Sequence, residues 1–208
     1  MATFAAMEAR IIAELHRDDV AGVVDDYIND AIAHYQRYRF WFNETSATQN
    51  TVAGTETYAW PTDFVELDSL VATLNGTFTP LKQVSPRDID ELYVNTTYRG
   101  QPSVFANYKE QFRLYPTPDA VYVLTQYYLK DYTPLTTGSA SANVWTTEAE
   151  ELIRTRAKKL LVGQFMPTSQ DTMGWAAMLD QQEKDLFRGL QLQTQESTRT
   201  GRLRRWDA

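Results

Sequence analysis

Apolar residues at the start of the chain recur at helical spacing. Phe4, Met7, Ile11 and Leu15 form one stripe and predict an amphipathic helix. His16-Arg17-Asp18-Asp19 interrupts it, and Asp18 or Asp19 is placed to cap a second helix. Val20, Val23, Val24, Tyr27, Ile28, Ala31, Ile32, Tyr35 and Tyr38 then follow the i, i+3, i+4, i+7 pattern over more than five turns. The opposite face carries Asp25, Asp26, Asn29, Asp30 and Gln36.

From about Thr45 the period shortens. Residues 45–135 are rich in Thr, Tyr, Val, Pro and Gly and contain short alternating runs. Thr57 to Trp60 reads as a strand ended by Pro61. Val65 to Leu74 and Thr77 to Val84 flank Asn75-Gly76, the strongest short-range hairpin signal, because both turn positions need positive φ. Pro80 places the second of these strands at an edge or breaks it. Ser85-Pro86-Arg87-Asp88 has the cap, first-turn proline and third-position acid of a helix start, and predicts a short helix to about Val94. Ser103 to Tyr108, Gln111 to Tyr115 and Val121 to Tyr132 read as three further strands.

Residues 136–144 are a small-residue linker. Helical periodicity then returns. Thr146 or Thr147 is placed to cap a helix starting at Glu148, with Leu152, Ile153, Ala157, Leu160, Leu161 and Phe165 on its apolar face and Pro167 after its end. A last helix is expected from Gln170 to Glu196, burying Trp175, Met178, Leu179, Leu186, Phe187 and Leu190. The order helices, strands, helices predicts an α+β protein: a helical bundle with an inserted antiparallel β subdomain. The expected divisions are 1–42 for the first bundle helices, 43–135 for the β insertion, 136–145 for the linker, 146–197 for the last helices, and 198–208 for a basic tail.

Charge separates that tail from the body. Residues 198–208 carry four arginines and one aspartate, so a chain of net charge −7 has −10 on its first 197 residues. Arg199, Arg202, Arg204 and Arg205 with Leu203 and Trp206 have the composition of a docking peptide, with guanidinium groups for carboxylates and two apolar anchors; the alternative reading of the same composition is a disordered basic tail. The acidic body disfavours binding of nucleic acid over a broad surface. The N-terminus lacks a basic leader and is not read as a secretory signal, and no apolar run approaches a bilayer span. The sequence contains no cysteine, which removes disulfide, thiolate-metal and Cys-nucleophile chemistry.

Other chemistry finds few candidates. His16 and His34 are the only histidines, and neither has a second ligand at helical spacing in an apolar setting. Asp18-Asp19, Asp25-Asp26 and Asp30 fall around a cap and on a polar helix face. Glu148, Glu150 and Glu151 read as first-turn acids complementing the helix dipole. Gly174 and Gly189 stand alone in a helical pattern, so there is no Gly-rich phosphate loop. Phe40-Trp41-Phe42 follows the long helix directly and is expected to plug the junction with the β insertion; no convergent polar groups point to a ligand there. Catalytic, cofactor and metal sites are therefore expected to be absent.

One longer constellation remains. Tyr27-Ile28-Asn29-Asp30-Ala31-Ile32 leads to Phe40-Trp41-Phe42-Asn43-Glu44, then to Tyr58-Ala59-Trp60-Pro61-Thr62-Asp63-Phe64 and the Asn75-Gly76 hairpin. Gly100-Gln101-Pro102 precedes Phe112-Arg113-Leu114-Tyr115-Pro116-Thr117-Pro118-Asp119, and Trp145 precedes the next helix. In this order, over roughly residues 20–165, the chain resembles the head-to-tail adaptor proteins of short-tailed bacteriophages. The resemblance implies a structural virion protein of the neck, assembled in the host cytoplasm, without a cofactor. It implies a ring, typically of twelve copies, joining the portal protein to the tail nozzle and fibres and continuing the DNA channel without specific DNA binding. It also implies that the C-terminal segment extends along the portal, which gives Arg199, Arg202, Leu203, Arg204, Arg205 and Trp206 a candidate receptor.

Two rival readings follow from the residues. A tail-associated cell-wall hydrolase would need two carboxylates converging in a cleft. A ligand- or carbohydrate-binding tail module would need a row of exposed coplanar aromatics on the Tyr-rich strands.

Overall fold

The computed structural model describes residues 3–93, 98–136, 142–167 and 169–200. The chain divides into two compact units. One comprises the described residues of Met1–Asn43 and Tyr132–Ala208, the other those of Glu44–Asp131. The fold class is α+β.

In the helical unit, α1 spans Phe4–Leu15 and buries the expected stripe of Phe4, Met7, Ile11 and Leu15. Thr3 caps it, its hydroxyl accepting from the Ala6 N–H at 3.2 Å. His16 ends it in the left-handed region at φ 51°, with the Arg17 N–H donating back to the Ile12 carbonyl at 3.5 Å. The expected long second helix is shorter. Asp18–Val20 form one 3-10 turn, and α2 runs from Val24 to Tyr35. Neither Asp18 nor Asp19 caps α2, whose cap position is Val23 with no side-chain bond. Both aspartates lie in the 3-10 turn, at least four residues ahead of the cap position Val23 and so out of capping reach, and Asp19 takes a two-pronged pair from Arg17, at 2.6 and 2.5 Å. Tyr38 falls beyond α2 and is exposed.

The C-terminal helices also start differently. Asn143 is the cap, accepting from the N–H groups of Trp145 and Thr146, and opens a short helix α4 over Val144–Glu148. Thr146 completes the reciprocal capping box rather than opening a helix itself. The chain bends at Ala149, and α5 covers Glu150–Phe165. After Pro167 comes α6, Gln170–Thr200. Two residues expected to be buried are exposed: Phe165 near the end of α5 and Met178 on α6.

Aromatic packing closes this core. Trp145 is fully buried and meets Phe40 and Phe42 edge-on, at centroid distances of 5.6 and 5.0 Å. Phe40 and Phe42 stack at 5.2 Å, and Phe187 of α6 meets Phe40 edge-on at 5.9 Å. The buried Asn43 fixes the turn that presents them: its Oδ1 accepts from the Phe40 N–H at 2.8 Å and its Nδ2 donates to the Tyr38 carbonyl at 2.9 Å. Asn29 of α2 binds both backbone groups of Leu135, at 3.0 and 2.9 Å, and so ties the returning chain to the bundle.

The described residues of the other unit hold eight strands in two sheets and the helix α3. The strands are β1 (Glu44–Asn50), β2 (Thr57–Ala59), β3 (Phe64–Leu74), β4 (Thr77–Pro80), β5 (Lys82–Gln83), β6 (Val104–Tyr108), β7 (Gln111–Tyr115) and β8 (Val123–Lys130), and α3 spans Pro86–Leu92. The sheets run β1-β8-β3-β4 and β2-β7-β6-β5. Asn75 and Gly76 turn the β3–β4 hairpin at φ 49° and 80°. Pro80 does both things its chemistry allows: β4 is an edge strand, and it stops there. The insertion is not purely antiparallel, because β5 pairs with β6 in parallel. Helix α3, closed by the Ser85–Asp88 capping box, is the crossover that a parallel pair requires. Leu70, Ala72 and Leu124 of one sheet pack with Tyr58, Phe105, Phe112 and Leu114 of the other, making a two-layer core.

Candidate functional site

The interface of α5 and α6 has two different stretches. In the first, Glu183 lies on the core-facing side of α6 and is buried. Its carboxylate accepts from Tyr35 Oη at 2.5 Å, Arg156 at 2.7 Å and Lys159 at 2.8 Å. Lys159 also pairs with Asp180 at 2.5 Å, and Asp180 with Lys184 at 2.5 Å. Burial works against the Glu183 charge, but the bonds from Lys159, Tyr35 and Arg156 prevail and hold its pKa below the ordinary carboxylate value. Hydrogen bonds from Lys159 and Lys184 bring Asp180 down to about 2. Burial first, and then the bond to Glu183, drive the Tyr35 hydroxyl far above its ordinary pKa. His34 stands edge-on to Tyr35 at 4.9 Å; burial and the Arg156 charge hold it below the usual imidazole value.

The second stretch lies toward the start of α5. Here α4, Ala149 and α5 part from α6 and leave a groove of about 930 Å³. Leu152, Met178, Leu186 and Leu190 supply its apolar surface, and Gly189 leaves a gap in the α6 wall where a Cβ would meet nothing within 4 Å. Glu148, Glu151 and Asp185 stand exposed at its rim with Gln181, Gln182 and Gln193. The Gln182 amide donates to Glu151 at 3.4 Å and the Gln181 amide to Asp185 at 3.1 Å. No cation lines the groove among the described residues.

The sequence placed few residues here. The sequence predicts Glu148 and Glu151 as first-turn acids; Glu151 lies in the first turn of α5, while Glu148 ends α4. The Glu183 cluster went unnoticed. Its signal was a carboxylate on the stripe Leu179, Leu186, Leu190, at positions where apolar residues recur. Phe40, Trp41 and Phe42 belong to the helical core, just ahead of Glu44 where the β unit begins. Arg199 lies in α6, whereas Arg202, Leu203, Arg204, Arg205 and Trp206 lie outside the described residues, as does Val94.

Carboxylates with a displaced pKa (Asp19, Asp63, Asp180 and Glu183) are all displaced downward. A general acid at neutral pH requires the opposite shift. No group of three metal-ligating side chains occurs among the described residues. Among the exposed aromatics, Phe78, Tyr108 and Tyr127 stand on β4, β6 and β8, and Tyr98 meets the half-buried Tyr115 at 6.2 Å.

No curated protein matches the chain significantly. The model of the family described as SU10 adaptor protein matches residues 2–206, which takes in both units and the groove. The chain belongs to the SU10 adaptor protein family and is a phage adaptor, a structural protein.

Proposed function

We propose that the protein is the head-to-tail adaptor of a short-tailed phage. Copies of it, twelve by the family resemblance, form a ring that joins the portal protein to the tail nozzle and fibres and continues the DNA channel. The observation that carries this reading is the family match along residues 2–206, which leaves neither unit outside it. The charge distribution supports it. A body with −10 on its first 197 residues repels DNA in transit instead of holding it. Its place is the neck of the virion, reached by assembly in the host cytoplasm, and no helix among the described residues is long and apolar enough to cross a membrane.

The test is a mass measurement of the protein alone and after addition of portal. The expected result is a single species alone and a closed many-copy ring on portal. A monomer under both conditions contradicts the reading.

A further inference from the structure

A ring of identical copies requires a contact in which one surface of a copy meets a different surface of the next, because only such head-to-tail contacts generate rings. The groove between α5 and α6 is one such surface. It combines an apolar floor of Leu152, Leu186 and Leu190 with rim carboxylates Glu148, Glu151 and Asp185. We infer that it receives the C-terminal peptide, residues 201–208, of a second copy of the chain. This rests on the ring-forming reading above and gives that ring its connecting element.

Charge and shape both favour this occupant. Arg202, Arg204 and Arg205 are guanidinium groups suited to paired carboxylates. Leu203 and Trp206 supply two apolar anchors for a floor otherwise open to water, and Trp is a frequent anchor in such pockets. The gap at Gly189 lets a ring approach the α6 backbone without meeting a side chain.

Chain length favours a neighbour's groove over the peptide's own. Gln182 touches Glu151, so that rim carboxylate sits level with Gln182, 18 helical residues or about 27 Å before Thr200. Arg205 is five residues past Thr200, and five residues span at most about 18 Å even when fully extended, before any reversal of direction. Within one chain the Arg205 backbone therefore reaches no further back than about the level of Gly189, short of Glu151, so the peptide cannot lie along the whole of its own groove. A second copy has no such limit.

The absence of cysteine makes the test clean. Two differently tagged full-length chains, one carrying Ala208→Cys and the other Gln181→Cys, are mixed and treated with a short bifunctional thiol reagent, alone and with portal. The expected product joins the two tags. Its yield falls at least tenfold with Trp206→Ala, which lies outside the described fold, and with Glu151→Lys plus Asp185→Lys, whose melting temperature is checked against the parent. Three results overturn the inference: no product joining the tags under either condition, a link formed only within a chain carrying both cysteines, or equal yield from the variants. A link from Ala208→Cys to a portal cysteine, with none to Gln181→Cys, also overturns it and gives the peptide to the portal. A ring by mass that shows no such cross-link removes this inference and leaves the adaptor reading standing.

Discussion

Along α6, Glu183 meets α5 and α2 through three donors, whereas one to two turns later Leu186 and Leu190 line an open groove. The two stretches share a helix and a partner helix. In the first, every charge is answered within the chain: Glu183 by Tyr35, Arg156 and Lys159, and Asp180 by Lys159 and Lys184. A buried charge left unanswered costs several kcal/mol, so a seam of this kind must be completed during folding. In the second, acids of one sign ring an apolar floor, and no cation of the same chain lines it among the described residues. The seam belongs to folding and the groove to assembly.

Substitutions separate the two. The largest loss is expected in the core behind the seam: Trp145→Ala removes the ring packed on Phe40 and Phe42 and costs about 4 kcal/mol, roughly a 10 °C drop in melting temperature. Glu183→Ala leaves Arg156 and Lys159 facing each other without their shared carboxylate and costs about 3 kcal/mol by denaturant titration. A melting temperature unchanged by Glu183→Ala would remove the seam from the folding side of the comparison.

Acid probes the same seam. Glu183 and Asp180 have folded pKa values below their unfolded ones, so their stabilisation is present above the ordinary carboxylate range and is lost as pH falls through that range toward about 2. Melting temperature should therefore drop between pH 5 and pH 3, and the drop should shrink in Glu183→Gln. Tyr35, Tyr122 and Tyr128 are shifted upward, the last two to about 12, so their contribution is full below about pH 10 and is lost at higher pH.

Groove substitutions are expected to leave stability nearly intact. Gly189→Ala should stabilise the isolated protein by about 0.5–1 kcal/mol, since a helical Ala replaces Gly and its Cβ meets open space. The same change narrows the groove and should weaken assembly. Met178→Ser, at a position 57% exposed, should change stability by less than about 0.5 kcal/mol while lowering ring yield. If Met178→Ser instead destabilises like a core substitution, the groove is part of the folding core and the comparison fails.

Much of the helical unit was legible because its periodicity is strong. The α1 stripe, the Asn75-Gly76 turn and the Ser85–Asp88 capping box each express one local rule, and each formed. Strand β1 was hidden because ETSATQN holds only one apolar residue, Ala47; it is an edge strand held to β8 by backbone pairing. The parallel β5–β6 pair was hidden because two residues carry no period. Caps failed where the helix began later than the periodicity predicts, as with Asp18 and Asp19 ahead of Val24, or where a better cap lay upstream, as with Asn143. The tail's charge contrast was plain in the sequence. Its receptor groove was not, because it depends on how α5 and α6 diverge, and helical periodicity alone predicts Met178 in the core.

Hydrogen exchange of the full-length protein, alone and assembled on portal, tests the division between seam and groove most directly. The expected result is new protection across residues 148–152, 182–193 and the peptide 201–208 on assembly, with residues 156–159 already protected in the free chain and unchanged. No gain across 148–152 and 182–193 in a ring of confirmed mass would contradict it.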